Sequence, residues 1–216
     1  MTLRLRERLF KATRHSFNRA RAIPIIMVAA IMMVGTAAAQ TFDESHRAKE
    51  QKVSARLSGF NEVIFEAGPP AALRGAISTP GNGKFHARID KNARIIEYEL
   101  SYENLKGTVT QGHIHFGQRH TVGGIIVWLC QTTTNPAPAS VASLTPPCPA
   151  DDGTPVTGTI TPVQVLAQTA QGFEAGDFDE LVRAIRNGAA YANVHSSMFT
   201  PGEIRDQIED DRDRDD

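Results

Sequence analysis

The sequence predicts an all-β fold, an antiparallel β-sandwich with one short helix. Three observations carry this. Apolar and polar residues alternate with period two in several short runs, from Val53, Ala55 and Leu57 to Ile96, Tyr98, Leu100 and Tyr102, the pattern of strands with one face in a core and the other in water. Turn-forming clusters such as Pro80-Gly81-Asn82-Gly83 and Gly123-Gly124 separate these runs at close spacing. Helical i, i+3, i+4, i+7 spacing is found only at Phe178, Leu181, Val182 and Ile185.

Taken in order, the first strand begins near Val53, after a polar lead-in from Gln40 to Gln51 that lacks an apolar period. Gly68-Pro69-Pro70 breaks the chain, and a short strand is expected over Gly75 to Thr79, ending at the turn Pro80 to Gly83. Phe85, Ala87 and Ile89 mark the next strand, which turns at Lys91-Asn92 into Arg94 to Tyr102. A strand follows from Thr108 to Phe116. The unbroken run Ile125 to Leu129, which includes Trp128, suits a strand covered on both faces, with Trp128 in the core. After a Pro-rich loop, Val156 to Thr161 is another strand. Asp177 and Glu180 form a capping box for the helix, and Asn187-Gly188 stops it. Ala190 to Ser196 and Glu203 to Ile208 close the fold as a hairpin. The acidic end, 209–216, is expected to be solvated and disordered.

Charge separates the leader from the rest. Residues 1–39 carry seven basic residues (Arg4, Arg6, Arg8, Lys11, Arg14, Arg19, Arg21) against Glu7, so the remaining chain stands at 16 − 23 = −7. That sign argues against a nucleic-acid partner, since phosphates must be neutralised by cations. The basic stretch, the apolar run Ile23 to Val34 and the small-residue site Gly35-Thr36-Ala37-Ala38-Ala39 read as a secretory signal peptide over 1–39. A retained anchor is the alternative, but Ala22 to Ala39 contains Pro24 and is short against the ~20 apolar residues of a spanning helix. The mature protein is therefore expected to be secreted or periplasmic, touching the membrane only through the signal peptide. In that compartment Cys130 and Cys148, the two cysteines of the chain, are expected to pair across the Pro-rich loop. Such a bond contributes about 3 kcal/mol, mostly by restricting the unfolded chain. Two free thiols are the other possibility.

The residues best suited to chemistry are imidazoles. His113 and His115 stand two apart on one strand and so project from the same face, with Cα atoms ~6.6–6.8 Å apart. Together they can close on one metal ion, and His195 in Tyr191-Ala192-Asn193-Val194-His195 can supply a third nitrogen; imidazole suits Cu or Zn. Hydrogen-bonded structural histidines are the competing reading. His86 and the loop residue His120 are further candidates. Glu62 and Glu203 are the carboxylates of note, with Glu203 and Arg205 expected to form a structural ion pair at a sheet edge. There is no G-x-S-x-G, no P-loop and no G-x-G-x-x-G, so these routes to hydrolysis and nucleotide binding have no support.

Three ordered segments together resemble the CHRD domain, a family named after chordin and also found singly in exported bacterial proteins. They are Leu57-Ser58-Gly59-Phe60-Asn61-Glu62-Val63, His113-Ile114-His115-Phe116-Gly117, and Tyr191 to His195 with Pro201-Gly202-Glu203-Ile204-Arg205-Asp206-Gln207-Ile208. The resemblance covers about residues 52–208. Two departures stand out: a single Gly202 precedes Glu203, with Asp206 where the family commonly has Gly, and His120 takes the place of a small residue. The resemblance implies an exported, non-catalytic binding or structural module with an extracytoplasmic ligand or protein as partner, and no certain cofactor. His-Ile-His-Phe-Gly is also similar to a segment of copper,zinc superoxide dismutases, which are sandwiches too. The fold is accordingly expected to be immunoglobulin-like or superoxide-dismutase-like. The alternative function is a Cu- or Zn-binding sandwich with dismutase-like redox activity.

Overall fold

In the computed structural model, residues 50–66, 72–150 and 153–213 are described. The expected signal peptide and most of the expected lead-in lie outside them, as do the last three residues. The strands are β1 (Glu50–Ser58), β2 (Val63–Glu66), β3 (Ala72–Gly75), β4 (Asn82–Asp90), β5 (Ile95–Glu103), β6 (Val109–Phe116), β7 (Gly124–Gln131) and β8 (Val156–Ile160). After the helix α1 (Phe178–Arg186) come β9 (Ala190–Ser196), β10 (Ile204–Gln207) and β11 (Glu209–Asp210). Among the described residues no helix is long and apolar enough to cross a membrane.

One large antiparallel sheet runs in the order β7-β6-β9-β10-β1-β4-β5-β8, with β11 also on β1; β2 and β3 form a separate hairpin. The large sheet rolls on itself until its end strands β7 and β8 approach each other. Across the interior the Tyr98 hydroxyl of β5 donates to the Leu129 carbonyl of β7 at 2.6 Å. The expected sandwich is present, its two facing layers being halves of one continuous sheet. Val53, Ala55 and Leu57 of β1, Phe85, Ala87 and Ile89 of β4, and Ile96, Leu100 and Tyr102 of β5 fill the core by alternation.

The helix forms where its capping chemistry places it. Asp177 accepts from the Glu180 N–H at 2.9 Å, and Phe178, Leu181, Val182 and Ile185 are buried against the sheet.

The outer edge of β7 would be a template for aggregation if left open. Two loops cover it. Leu166 donates to the Ile126 carbonyl and Gln168 Nε2 to Ile125, while Gln131 donates to Pro146 and accepts from Cys148. The Cys130–Cys148 disulfide, with Cα atoms 4.9 Å apart, clamps the Pro-rich loop there. Gln131 organises that loop, donating to the carbonyls of Ala142 and Thr145 and accepting from the Ala137 N–H.

Several expectations need correction. The strand expected at Gly75 to Thr79 lies earlier, where Ala72–Gly75 pairs with Val63–Glu66, a strand the alternation did not reveal. Ala76 takes a left-handed φ of 72° that ends the hairpin, and the Ile77 N–H turns to the Gly59 carbonyl at 2.6 Å. That approach needs Gly59, since a Cβ there would lie 2.4 Å from the Ile77 oxygen. Asn82-Gly83, expected in a turn, opens β4, because Gly83 lets the chain pass close to Ser101 of β5.

Order also extends beyond both expected ends. Glu50 and Gln51 of the lead-in belong to β1, and Gln51 bonds Asp210 and Arg186. Glu209 and Asp210, expected in a solvated tail, pair with Ser54 and Val53. Their carboxylates gain donors on pairing: Asp210 is held down at about 2, chiefly by its hydrogen bond from Arg212.

Candidate metal centre

The outer face of the sheet at β6, β9 and β10 is a second, polar interior. Gly112 and Ile114 of β6 and Ala192 and Val194 of β9 turn to the apolar core, so His113, His115, Tyr191, Asn193 and His195 turn the other way. Pairing sets His115 beside Tyr191 and His113 beside Asn193, with bulges on the β7 side at both histidines. The segment 117–123 folds back over this face through a neck of two glycines. A Cβ on Gly123 would lie 2.0 Å from the Phe116 oxygen, which explains the residue type.

Under this cover His113 is 0% exposed, His115 7% and His195 5%. One ligand nitrogen from each of the three lies within 4.8 Å of the others. His113 Nδ1 is 3.2 Å from His195 Nε2. Each of the other two rings is oriented from behind: His115 Nδ1 donates to the Gly123 carbonyl at 3.0 Å and His195 Nδ1 to Thr200 at 2.8 Å. A carbonyl can only accept, so both protons sit on Nδ1 and both Nε2 atoms present lone pairs, that of His195 toward His113 Nδ1 and that of His115 toward no partner among the described residues. A back-side bond from ring N–H to carbonyl is the usual support of a metal-ligating histidine.

Two nitrogens of the cluster, His113 Nε2 and His115 Nε2, are buried with no hydrogen-bond partner among the described residues. Leaving such atoms unsatisfied costs about 1–3 kcal/mol each. Burial also keeps the rings neutral. It pushes His113 well below its usual pKa, helped by His195 and His115, takes His115 down to about 3, and lowers His195 against the opposing bond to Thr200. Neutral imidazole is the form that binds metal. The donor set, its back-side support and its orphaned nitrogens thus fit a metal ion.

A ring of aromatic and charged groups braces the cluster. Tyr191 stacks on His115 with centroids 4.7 Å apart and planes 3° from parallel, and its hydroxyl accepts from the Gly123 N–H at 3.1 Å. The Arg205 guanidinium lies 3.9 Å from the centroid of the Tyr191 ring and donates to the Thr121 carbonyl. Behind it, Glu62 approaches Arg205 at 4.0 Å and accepts from Asn193 at 2.7 Å. Burial raises the Glu62 carboxyl to about 7, against the bond from Val63, the charge of Arg205 and the bond from Asn193. Trp128, expected in the core, sits on the outer side with its ring 4.2 Å from His113, because the β6–β7 bulges rotate it there.

The expected ion pair between Glu203 and Arg205 gives way to other partners. Glu203 lies in the turn before β10, where it accepts from the Thr79 hydroxyl and, at 2.7 Å, from the Lys106 N–H. Arg205 pairs with Glu62 instead, and both are buried because β10 lies between β9 and β1 rather than at an edge. His86 and His120 stay out of the cluster. His86 faces an open groove over β1, β4, β5 and β8, and His120 is exposed on the covering loop at φ 64°. Asp206, in place of a family glycine, accepts from Arg119 of that loop and so helps to hold it. Tyr191 and Asn193 share strand parity with His195, the one sequence signal that could have placed them in the site.

A rolled antiparallel sheet, a disulfide-clamped edge loop and a buried three-imidazole cluster under a glycine-necked loop define a single all-β module with a ligand-competent polar layer. The family model of the CHRD domain matches residues 53–208, more than half of the chain, and the chain belongs to that family. No curated protein and no solved structure matches it.

Proposed function

We propose that the protein is an exported, non-catalytic CHRD module that holds one transition-metal ion, Cu or Zn, on His113, His115 and His195. The observation that carries this reading is the convergence of the three rings with two buried imidazole nitrogens left without a partner. In native proteins an unsatisfied buried polar atom calls for a reason, and an ion is the one that these donors suit. Export is supported by the basic and apolar leader and by the disulfide, which persists in oxidising compartments. The family supports a binding or structural role.

Native mass spectrometry with elemental analysis tests this on the oxidised mature chain. One ion per chain is expected, together with its loss when His113, His115 and His195 are all replaced by Ala. Equal metal content in the two proteins, with both folded by circular dichroism, overturns the reading.

A further inference from the structure

The charge and number of the donors bear on which ion this site takes. We infer that the three-histidine cluster selects a soft monovalent cation, Cu(I), over the divalent ions Zn(II) and Cu(II). The inference rests on the metal reading above.

Every member of the ligand group is a neutral imidazole; no carboxylate or thiolate joins His113, His115 and His195 among the described residues. An ion bound there keeps its full charge in a buried place. The cost of burying charge rises with its square, so a divalent ion meets about four times the penalty of a monovalent one. The two nearby carboxylates are engaged elsewhere. Glu62 faces Arg205 and Asn193, and Glu203, whose Oε1 accepts from Thr79 and Lys106 and whose Oε2 has no partner among the described residues, is not one of the groups that converge with the rings. A cation stands close by: the Arg205 guanidinium lies 3.9 Å from the centroid of the Tyr191 ring that stacks on His115.

Coordination number points the same way. Zn(II) completes a tetrahedron with a fourth protein ligand or a water, whereas Cu(I) is satisfied by two or three donors. Neither aromatic side chain packed on the cluster offers a fourth. Trp128 presents its ring to His113, and an indole nitrogen only donates. Tyr191 presents the face of its ring to His115, while its oxygen accepts from the Gly123 N–H.

Competition titrations of the oxidised mature chain separate the possibilities. Cu(I) is kept reduced with ascorbate, which spares the disulfide, and is measured against bicinchoninate; Zn(II) and Cu(II) are measured against chromophoric chelators of their own. One equivalent of Cu(I), held at least about 100-fold more tightly than either divalent ion, is expected. X-ray absorption on the Cu(I) form should show nitrogen neighbours only, a readout that needs no variant. His195→Ala should lower the Cu(I) affinity by at least about tenfold. Zn(II) or Cu(II) bound as tightly as Cu(I) overturns this inference and leaves the metal reading standing. Sulfur neighbours around copper overturn the inference by placing the ion elsewhere. Binding of none of the three ions overturns both.

Discussion

His113 Nδ1 stands 3.2 Å from His195 Nε2, and the contact joins β6 to β9 through two rings that are almost wholly buried. His195 Nδ1 is already committed to the Thr200 carbonyl, so without an ion His113 must be the donor of that bond. The proton then leaves His113 Nε2 bare. An ion takes His113 through one ring nitrogen only, and the predictions below turn on telling the metal-free and metal-bound states apart.

His115→Phe should separate fold from ligation. The substitution removes an orphaned buried nitrogen and keeps an aromatic ring on Tyr191, at the loss of the bond to Gly123. The two effects are each about 1–3 kcal/mol and opposed. Thermal unfolding of the metal-free variant should therefore fall within about 1 kcal/mol of wild type, while the stabilisation added by metal disappears. A large loss of metal-free stability would make the ring's role structural.

Acid should destabilise the metal-free protein below the usual histidine range. Burial takes His115 from its ordinary 6.5 down to about 3, and His113 and His195 are shifted in the same direction. Between those values the unfolded chain binds more protons, so stability is full above pH 6.5 and falls as pH drops toward 3. Each ring contributes at most about 1.4 kcal/mol per pH unit across its window. Glu62 acts oppositely: raised from 4.5 to about 7, it adds stability below pH 4.5 that is lost as pH rises through 7. Three rings outweigh one carboxyl over the shared window. Urea midpoints from pH 4 to 8 should rise with pH, and Glu62→Gln should steepen that rise between about 4.5 and 7.

Removing the disulfide should loosen one edge of the sheet and spare the histidine cluster. Cys130 and Cys148 join residues 18 apart, and the bond holds the Pro-rich loop along β7. The Cys130→Ser, Cys148→Ser double variant should lose about 3 kcal/mol in denaturant titrations. Hydrogen exchange should quicken over 131–149 and change little at β9.

The Glu62–Arg205 pair should behave as a buried couple. Arg205→Met leaves Glu62 without its cation, which costs about 3–5 kcal/mol when one partner of a buried pair is removed. Adding Glu62→Gln, which keeps the Asn193 contact, should recover part of that loss in a double-mutant cycle. Simple additivity of the two substitutions would show that the pair is not coupled.

Much of the fold was legible in the sequence because its strands have one apolar face. Ile96, Tyr98, Leu100 and Tyr102 all reach the core as their alternation requires, and the helix sits where Asp177 caps it. The hairpin of β2 and β3 was not legible. Its side chains are largely exposed, Phe65 and Leu73 included, so no buried face left a pattern to read. Glu209 and Asp210 were misread for a related reason: their pairing with β1 is made by backbone and carboxylate hydrogen bonds, for which hydropathy carries no signal.

By itself the sequence determined which side chains share a strand face. Period two puts His113 with His115 and puts Tyr191 and Asn193 with His195, whatever the rest of the chain does. Only the tertiary structure decided that β6 and β9 are neighbours, that Arg205 turns to Glu62 rather than to Glu203, and that the segment 117–123 closes over the polar face. Those outcomes depend on pairing between segments about eighty residues apart, and on two glycines that let a loop fold tightly enough to shut water away from three imidazoles.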